Sequence, residues 1–263
     1  MSNTISFLKN YVVFAYKIRS TTSRGYLKLM EEANEKDSKI YMLRIIEELA
    51  ASTEDLFYWL TAAMLRNNKD KRYRDIWDFL HECDCKDIEV IEKIKIISKK
   101  SSIKGLLKTL NAPKPEDLSI FLKTNIEMIN KLFENLFNAS KASIHNRLIK
   151  RTLLTRVQNK IKHAMAVQEI PNGILIKDIK ITPRNKEKRI GNIKHYVRNI
   201  EINLDKDRAK KIVETIESNG IAVQTLAFFI AYDLGEYVKK LKGKKISKKL
   251  RSFLEESLNT FSV

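Results

Sequence analysis

Apolar side chains return about every 3.6 residues over most of this chain, the spacing that gathers them on one stripe of an α-helix. Ile5 to Tyr16 predicts a short helix and Ser38 to Leu65 a long one, with Tyr41, Ile45, Leu49, Leu56 and Leu60 on its stripe. Asn67-Asn-Lys-Asp70 interrupts the pattern, and Tyr73 to Leu80 resumes it around Ile76, Trp77 and Leu80. Asp87 to Ile97 predicts another amphipathic helix and Ser101 to Leu110 a shorter one. Asn111-Ala-Pro113-Lys-Pro115 ends any helix before it, because the residue ahead of a proline is pushed out of the helical region. That punctuation divides the sequence into an N-terminal helical region, 1–112, and a second region, 113–263.

Glu116 to Phe137 reads as one helix carrying Leu118, Phe121, Leu122, Ile126, Ile129, Phe133 and Leu136. A basic helix from about Ala142 to Val167 follows, with Ile144, Leu148, Leu154, Val157, Ile161 and Ala164 as its apolar positions, and the two predict an antiparallel hairpin. Pro171-Asn-Gly173 then changes the period. Ile174 to Ile181 and Tyr196 to Leu204 favour β structure, so 174–204 predicts a β-hairpin with the polar stretch Thr182 to Gly191 at its tip. Asp205 or Asp207 can start the next helix. Arg208 to Ile216, an Asn219-Gly220 interruption and Ile221 to Leu241 continue it, and Gly243 precedes a last helix from Ser247 to Leu258. The fold expected is all-α, a multi-helix up-and-down bundle with an inserted β-hairpin near 174–204.

At 263 residues, with 43% apolar and 31% charged side chains and only 7 Gly and 4 Pro, the chain is long enough and apolar enough for an ordered helical core. The apolar run Tyr11–Tyr16 is short, flanked by Lys9 and Lys17, and lacks a small-residue cleavage site. Ile221 to Tyr232 is too short to cross a bilayer. The expectation is a cytoplasmic protein with no membrane partner.

The net charge of +18 is unevenly placed. Residues 1–140 hold 23 basic and 20 acidic side chains, whereas 141–200 hold 15 basic and 3 acidic, and Lys239 to Arg251 hold eight basic and none acidic. A lysine-rich composition explains lysines everywhere but not a shortage of acids in one quarter of the chain. Segregation of this kind points to a polyanion-facing surface.

No Gly-rich phosphate loop, HExxH motif or G-x-S-x-G elbow is present. His81, Cys83 and Cys85 supply at most three metal ligands, with no distant pair to complete a site, and read as a turn with reduced cysteines. Neither metal nor cofactor is expected. His145 and His195 have no carboxylate partner in sequence. His163 is different: on a helix, residues seven apart lie roughly 20° apart around the axis and about 10 Å apart along it, so Arg156 and His163 share one flank. Asn159 falls one turn before His163, with Lys160 nearby. An imidazole held neutral by surrounding cations can move a proton, a guanidinium can hold phosphate oxygens in a bidentate way, and an amide can orient either. Such a set needs no metal if the nucleophile is the adjacent 2′-hydroxyl of RNA. Arg147, Lys150, Arg151, Arg156, Lys160 and Lys162 form the candidate nucleic-acid-binding surface. Helical side chains lean toward the N-terminus, so Arg156 leans away from His163, and a second copy packed antiparallel would bring them together. The same residues also fit a solvated helix edge, with His163 favoured near a helix C-terminus.

Arg156 and His163, with six residues between them, resemble the arginine-x4–6-histidine motif of the HEPN superfamily, and Asn159-Lys-Ile-Lys-His163 resembles a stretch found in HEPN-like bacterial proteins. The resemblance covers roughly 116–243. It implies a bundle of four or five helices, commonly a homodimer, and a metal-independent endoribonuclease of toxin–antitoxin or phage-defence systems, with Arg156 and His163 in a cleft at the dimer interface. RNA is the implied substrate, and an antitoxin or another acidic protein the implied partner. Val157 departs from the pattern, since a polar residue usually follows the arginine in active members. That departure leaves open a non-catalytic helical protein that binds nucleic acid or an acidic partner.

Overall fold

The computed structural model describes residues 14–65, 102–122, 124–142, 167–182, 194–203 and 205–242. Among these, six helices and one three-stranded antiparallel sheet make a mostly-α fold with a β-hairpin insert, as expected. In chain order the helices are α1 (Phe14–Glu32), α2 (Glu35–Leu65), α3 (Ile103–Thr109), α4 (Pro115–Leu122), α5 (126–142) and α6 (Lys206–Lys242). The strands β1 (Val167–Ile170), β2 (Gly173–Thr182) and β3 (Lys194–Asn203) lie between α5 and α6 in sequence. The chain divides into two compact units, one formed by Met1–Ser20, Ser52–His145 and Ile216–Val263, the other by Thr21–Ala51 and Asn146–Thr215.

Several elements follow from local chemistry. Asn34 accepts from the Asp37 amide at 3.0 Å and caps α2, while its own amide donates to the Asp37 carboxylate at 2.9 Å. Ser102 caps α3 by accepting from the Gly105 amide. Asn111, at φ 48°, ends that helix: its N–H donates to the Lys108 carbonyl and the Ala112 N–H to the Leu107 carbonyl, the two bonds of a Schellman motif. Pro115 opens α4, where a missing N–H costs nothing, with Glu116 and Asp117 in the first turn. Asp205 caps α6, its carboxylate accepting from the amides of Asp207 and Arg208.

Four expectations are corrected. The helix expected to end at Tyr16 runs on to Glu32, through Ser20, Thr21, Thr22, Ser23 and Gly25, weak helix formers overridden by burial of Ser23 and Met30. The single helix expected over Glu116–Phe137 is two: the Thr124 N–H turns back to the Ser119 carbonyl at 3.1 Å, the Ser119 hydroxyl donates to the Thr124 carbonyl, and Asn125 starts α5 by accepting from the Met128 amide at 2.7 Å. Val167 is not the end of a helix but the start of β1, which joins β2 through Pro171-Asn172 with Asn172 at φ 57°, the pattern of a type II turn. The Asn219-Gly220 interruption does not occur. Asn219 is buried inside the continuous α6 and donates to Ser52 Oγ at 3.1 Å, and a Cβ at Gly220 would fall on the ring of Tyr16. Close approach outweighs the helix-weakening tendency of glycine there.

The first unit is held by apolar stripes of its helices, with Leu60, Leu106, Leu118, Ile129 and Phe229 fully buried and Phe133 set edge-on to Phe229 at 5.8 Å. In the second unit, Met30, Met42, Ile45 and Ile46 pack with Ile174, Ile176 and Ile202 of the sheet and Ala209 and Val213 of α6. Ile174 stands opposite Ile202, so alternation delivers one apolar sheet face to this cluster. The hairpin pairs from Gly173 with Asn203 to Thr182 with Lys194, but β1 reaches only as far as Ile176. Beyond that point the described residues of the sheet form two strands.

Candidate nucleic-acid interface

Arg147, Lys150, Arg151, Arg156, Asn159, Lys160, Lys162 and His163 lie outside the described residues, as do His81, Cys83, Cys85 and the expected helices at Tyr73–Leu80, Asp87–Ile97 and Ser247–Leu258. The elements that bound the basic segment are described. α5 precedes it, and β1 begins four positions after His163.

An ionic cluster fixes β1 in the second unit. Lys39 of α2 has a side chain only 8% exposed, and its Nζ lies 3.0 Å from a carboxylate oxygen of Glu35, one turn earlier, and 3.0 Å from one of Glu169 on β1. Hydrogen bonding to Glu35, then to Glu169, raises the Lys39 pKa above its ordinary value. The Lys39 hydrogen bond and charge, with a further hydrogen bond from the Asn172 backbone, lower that of Glu35. Lys39 and Glu35 are therefore both held charged at neutral pH. Glu169 pairs in register with Ile174, on the face that carries the core residues, and Lys39 reaches it from α2. No sequence signal identifies this contact, because 130 positions separate its partners. Lys206 adds a second tie, donating to the Glu31 carbonyl in the last turn of α1 at 3.1 Å.

Charge distinguishes the framework from what it carries. The parts of the second unit at 21–51, 167–176 and 200–215 hold nine basic and eleven acidic side chains. The segment 146–166 holds six basic and none acidic. The hairpin from 177 to 199 holds eight basic and two acidic. Ion pairs in the framework, such as Lys39 with Glu35 and Glu169 and Arg44 with Glu47 at 2.7 Å, show where its acids go. The segment that runs into β1 has no acid of its own to neutralise its cations, a composition suited to a phosphate backbone.

Among the described residues, no group of three or more His, Cys, Asp or Glu side chains could hold a metal ion, and no helix is long and apolar enough to cross a membrane. Comparison of the chain with protein-family models, curated proteins and solved structures finds no match.

Proposed function

We propose that this protein binds RNA through Arg147, Lys150, Arg151, Lys160 and Lys162 and cleaves it without a metal, as a HEPN-like endoribonuclease of a toxin or defence system. The observation that carries the reading is the acid-free run 146–166, which holds Arg156, Asn159 and His163 together within eight positions. In this reading His163 takes the proton from a ribose 2′-hydroxyl, and the O2′–P bond forms as the P–O5′ bond breaks. The departing O5′ takes a proton from water while His163 returns its own to solvent, and Arg156 holds the phosphate oxygens as charge builds on them. Asn159 orients the imidazole or the hydroxyl. The products are a 2′,3′-cyclic phosphate and a 5′-hydroxyl. A homodimer supplies Arg156 of one copy to His163 of the other, and an acidic antitoxin would cover the same cations.

The test incubates metal-free protein and its His163→Ala variant with mixed RNA in the presence of chelator. Cleavage by the wild type, with cyclic phosphate ends, and none by the variant is the expected result. RNA affinity should be nearly unchanged in the variant, since the lysines and arginines supply it. Equal cleavage by both proteins excludes His163. Val157, apolar where active members carry a polar residue, favours the second reading, a non-catalytic RNA-binding protein. Tight RNA binding without cleavage by either protein would select it.

A further inference from the structure

The strand register places three cations of the hairpin in one row. Positions 178, 180 and 182 of β2 continue the face of Ile174 and Ile176, and their partners in β3 are Arg198, Tyr196 and Lys194. Lys180 is directly opposite Tyr196, so Lys194 and Arg198 are its two diagonal neighbours, each about 7–8 Å away on the same face. Asp178, opposite Arg198, is the one acid at these positions, and three cations against one acid leave the face positive. The apolar positions change sides at the same point: Ile179, Ile181 and Val197 have the parity of Leu175, not of Ile174. The face that is apolar at the base of the hairpin therefore becomes basic and aromatic from position 178 onward.

We propose that this face is a track for single-stranded RNA, with Lys194, Lys180 and Arg198 on successive phosphates and Tyr196 as a platform for one base. Charge complementarity selects a polyanion, and an aromatic among the cations selects unpaired bases, whose faces are free to stack. The assignment deepens the RNA-binding reading above and rests on it: cleavage by a 2′-hydroxyl requires a nucleotide free to turn in line with its leaving group, which an unpaired strand provides.

The test uses the full chain and a labelled 2′-O-methyl oligouridylate, which has no nucleophilic hydroxyl, with the same oligomer annealed to its complement as the duplex arm. The triple variant Lys180→Gln/Lys194→Gln/Arg198→Gln should bind the single strand at least tenfold more weakly at low salt, and its slope of log K against log salt should be shallower by about 2. Tyr196→Ala should lose about tenfold on the single strand and little on the duplex, and Tyr196→Phe should restore it. Far-UV circular dichroism checks that the variants stay folded. Should the triple variant unfold, Lys194→Gln, at the last paired position, should give about a third of its slope change. Wild-type affinity and slope in these variants, alongside weakened binding by Arg147→Gln/Lys150→Gln/Arg151→Gln, would overturn the track alone. No binding by the wild type at low salt would overturn the track and the RNA reading together.

Discussion

Within the second compact unit, the framework around Met42, Ile45, Ile174 and Ile176 balances nine basic side chains with eleven acidic ones, whereas 146–166 and 177–199 together hold fourteen basic and two acidic. Both regions come from the same lysine-rich chain, so composition alone does not account for the contrast. In the framework, Lys39 is bound into the fold between Glu35 and Glu169. Those in the two other regions have few or no acids near them in sequence. The difference teaches where to look for function: the reading proposed above assigns stability to the near-neutral framework and ligand affinity to the uncompensated segments.

If that division is right, damage to the framework should cost stability and leave the affinity of the folded protein alone. Ile45→Ala, at a fully buried position, should destabilise by about 2–5 kcal/mol in urea unfolding while changing RNA affinity less than twofold. A tenfold loss of affinity in protein shown to be folded would break the division. Gly173→Ala should destabilise by about 1–3 kcal/mol, because a Cβ there would press on the Ile202 carbonyl of the neighbouring strand rather than on a flexible side chain. Unchanged stability would show that the hairpin base tolerates a shift.

The smallest effect is that of the Lys39 cluster, and pH reveals its sign. Glu35 has a lowered pKa, so its contribution is complete above its ordinary value of 4.5 and is lost as pH falls through the folded value. Lys39 has a raised pKa, so its contribution is complete below 10.5 and is lost as pH rises through the folded value. The urea midpoint of the wild type minus that of Lys39→Met should therefore be positive and level between about pH 4.5 and 10.5, and should shrink outside that window. A difference independent of pH would mean that Lys39 acts through packing of its stem.

Helix type and the hairpin were legible because their signals are local. Asp205 and the Asn111–Pro115 punctuation act within a few residues, and the change from a period of 3.6 to alternation marks the strands. The features missed depend on distant partners or conflict with local propensity. The run Ser20–Gly25 is a poor helix by composition and is helical because Ser23 and Met30 are buried. Asn219-Gly220 looks like a break until Ser52 and Tyr16, remote in sequence, occupy its surroundings. The break at Thr124–Asn125 was hidden because apolar residues on both sides keep nearly the same stripe. β1 is four residues long, too short for alternation to declare it. Of the candidate site, sequence supplied the residues and their charge, while the register supplied the grouping of Lys180, Lys194, Arg198 and Tyr196, which are scattered over 19 positions in sequence.

The salt dependence of RNA binding tests the division of labour most directly, measured on three proteins side by side: the wild type, Arg147→Gln/Lys150→Gln/Arg151→Gln in the basic segment, and Lys36→Gln/Lys210→Gln/Lys211→Gln at exposed framework positions. Each variant removes three positive charges. The account predicts that the segment variant binds single-stranded RNA at least tenfold more weakly with a slope shallower by about 2, and that the framework variant matches the wild type in both. Equal losses in the two variants would contradict it, since binding would then follow total charge rather than its placement.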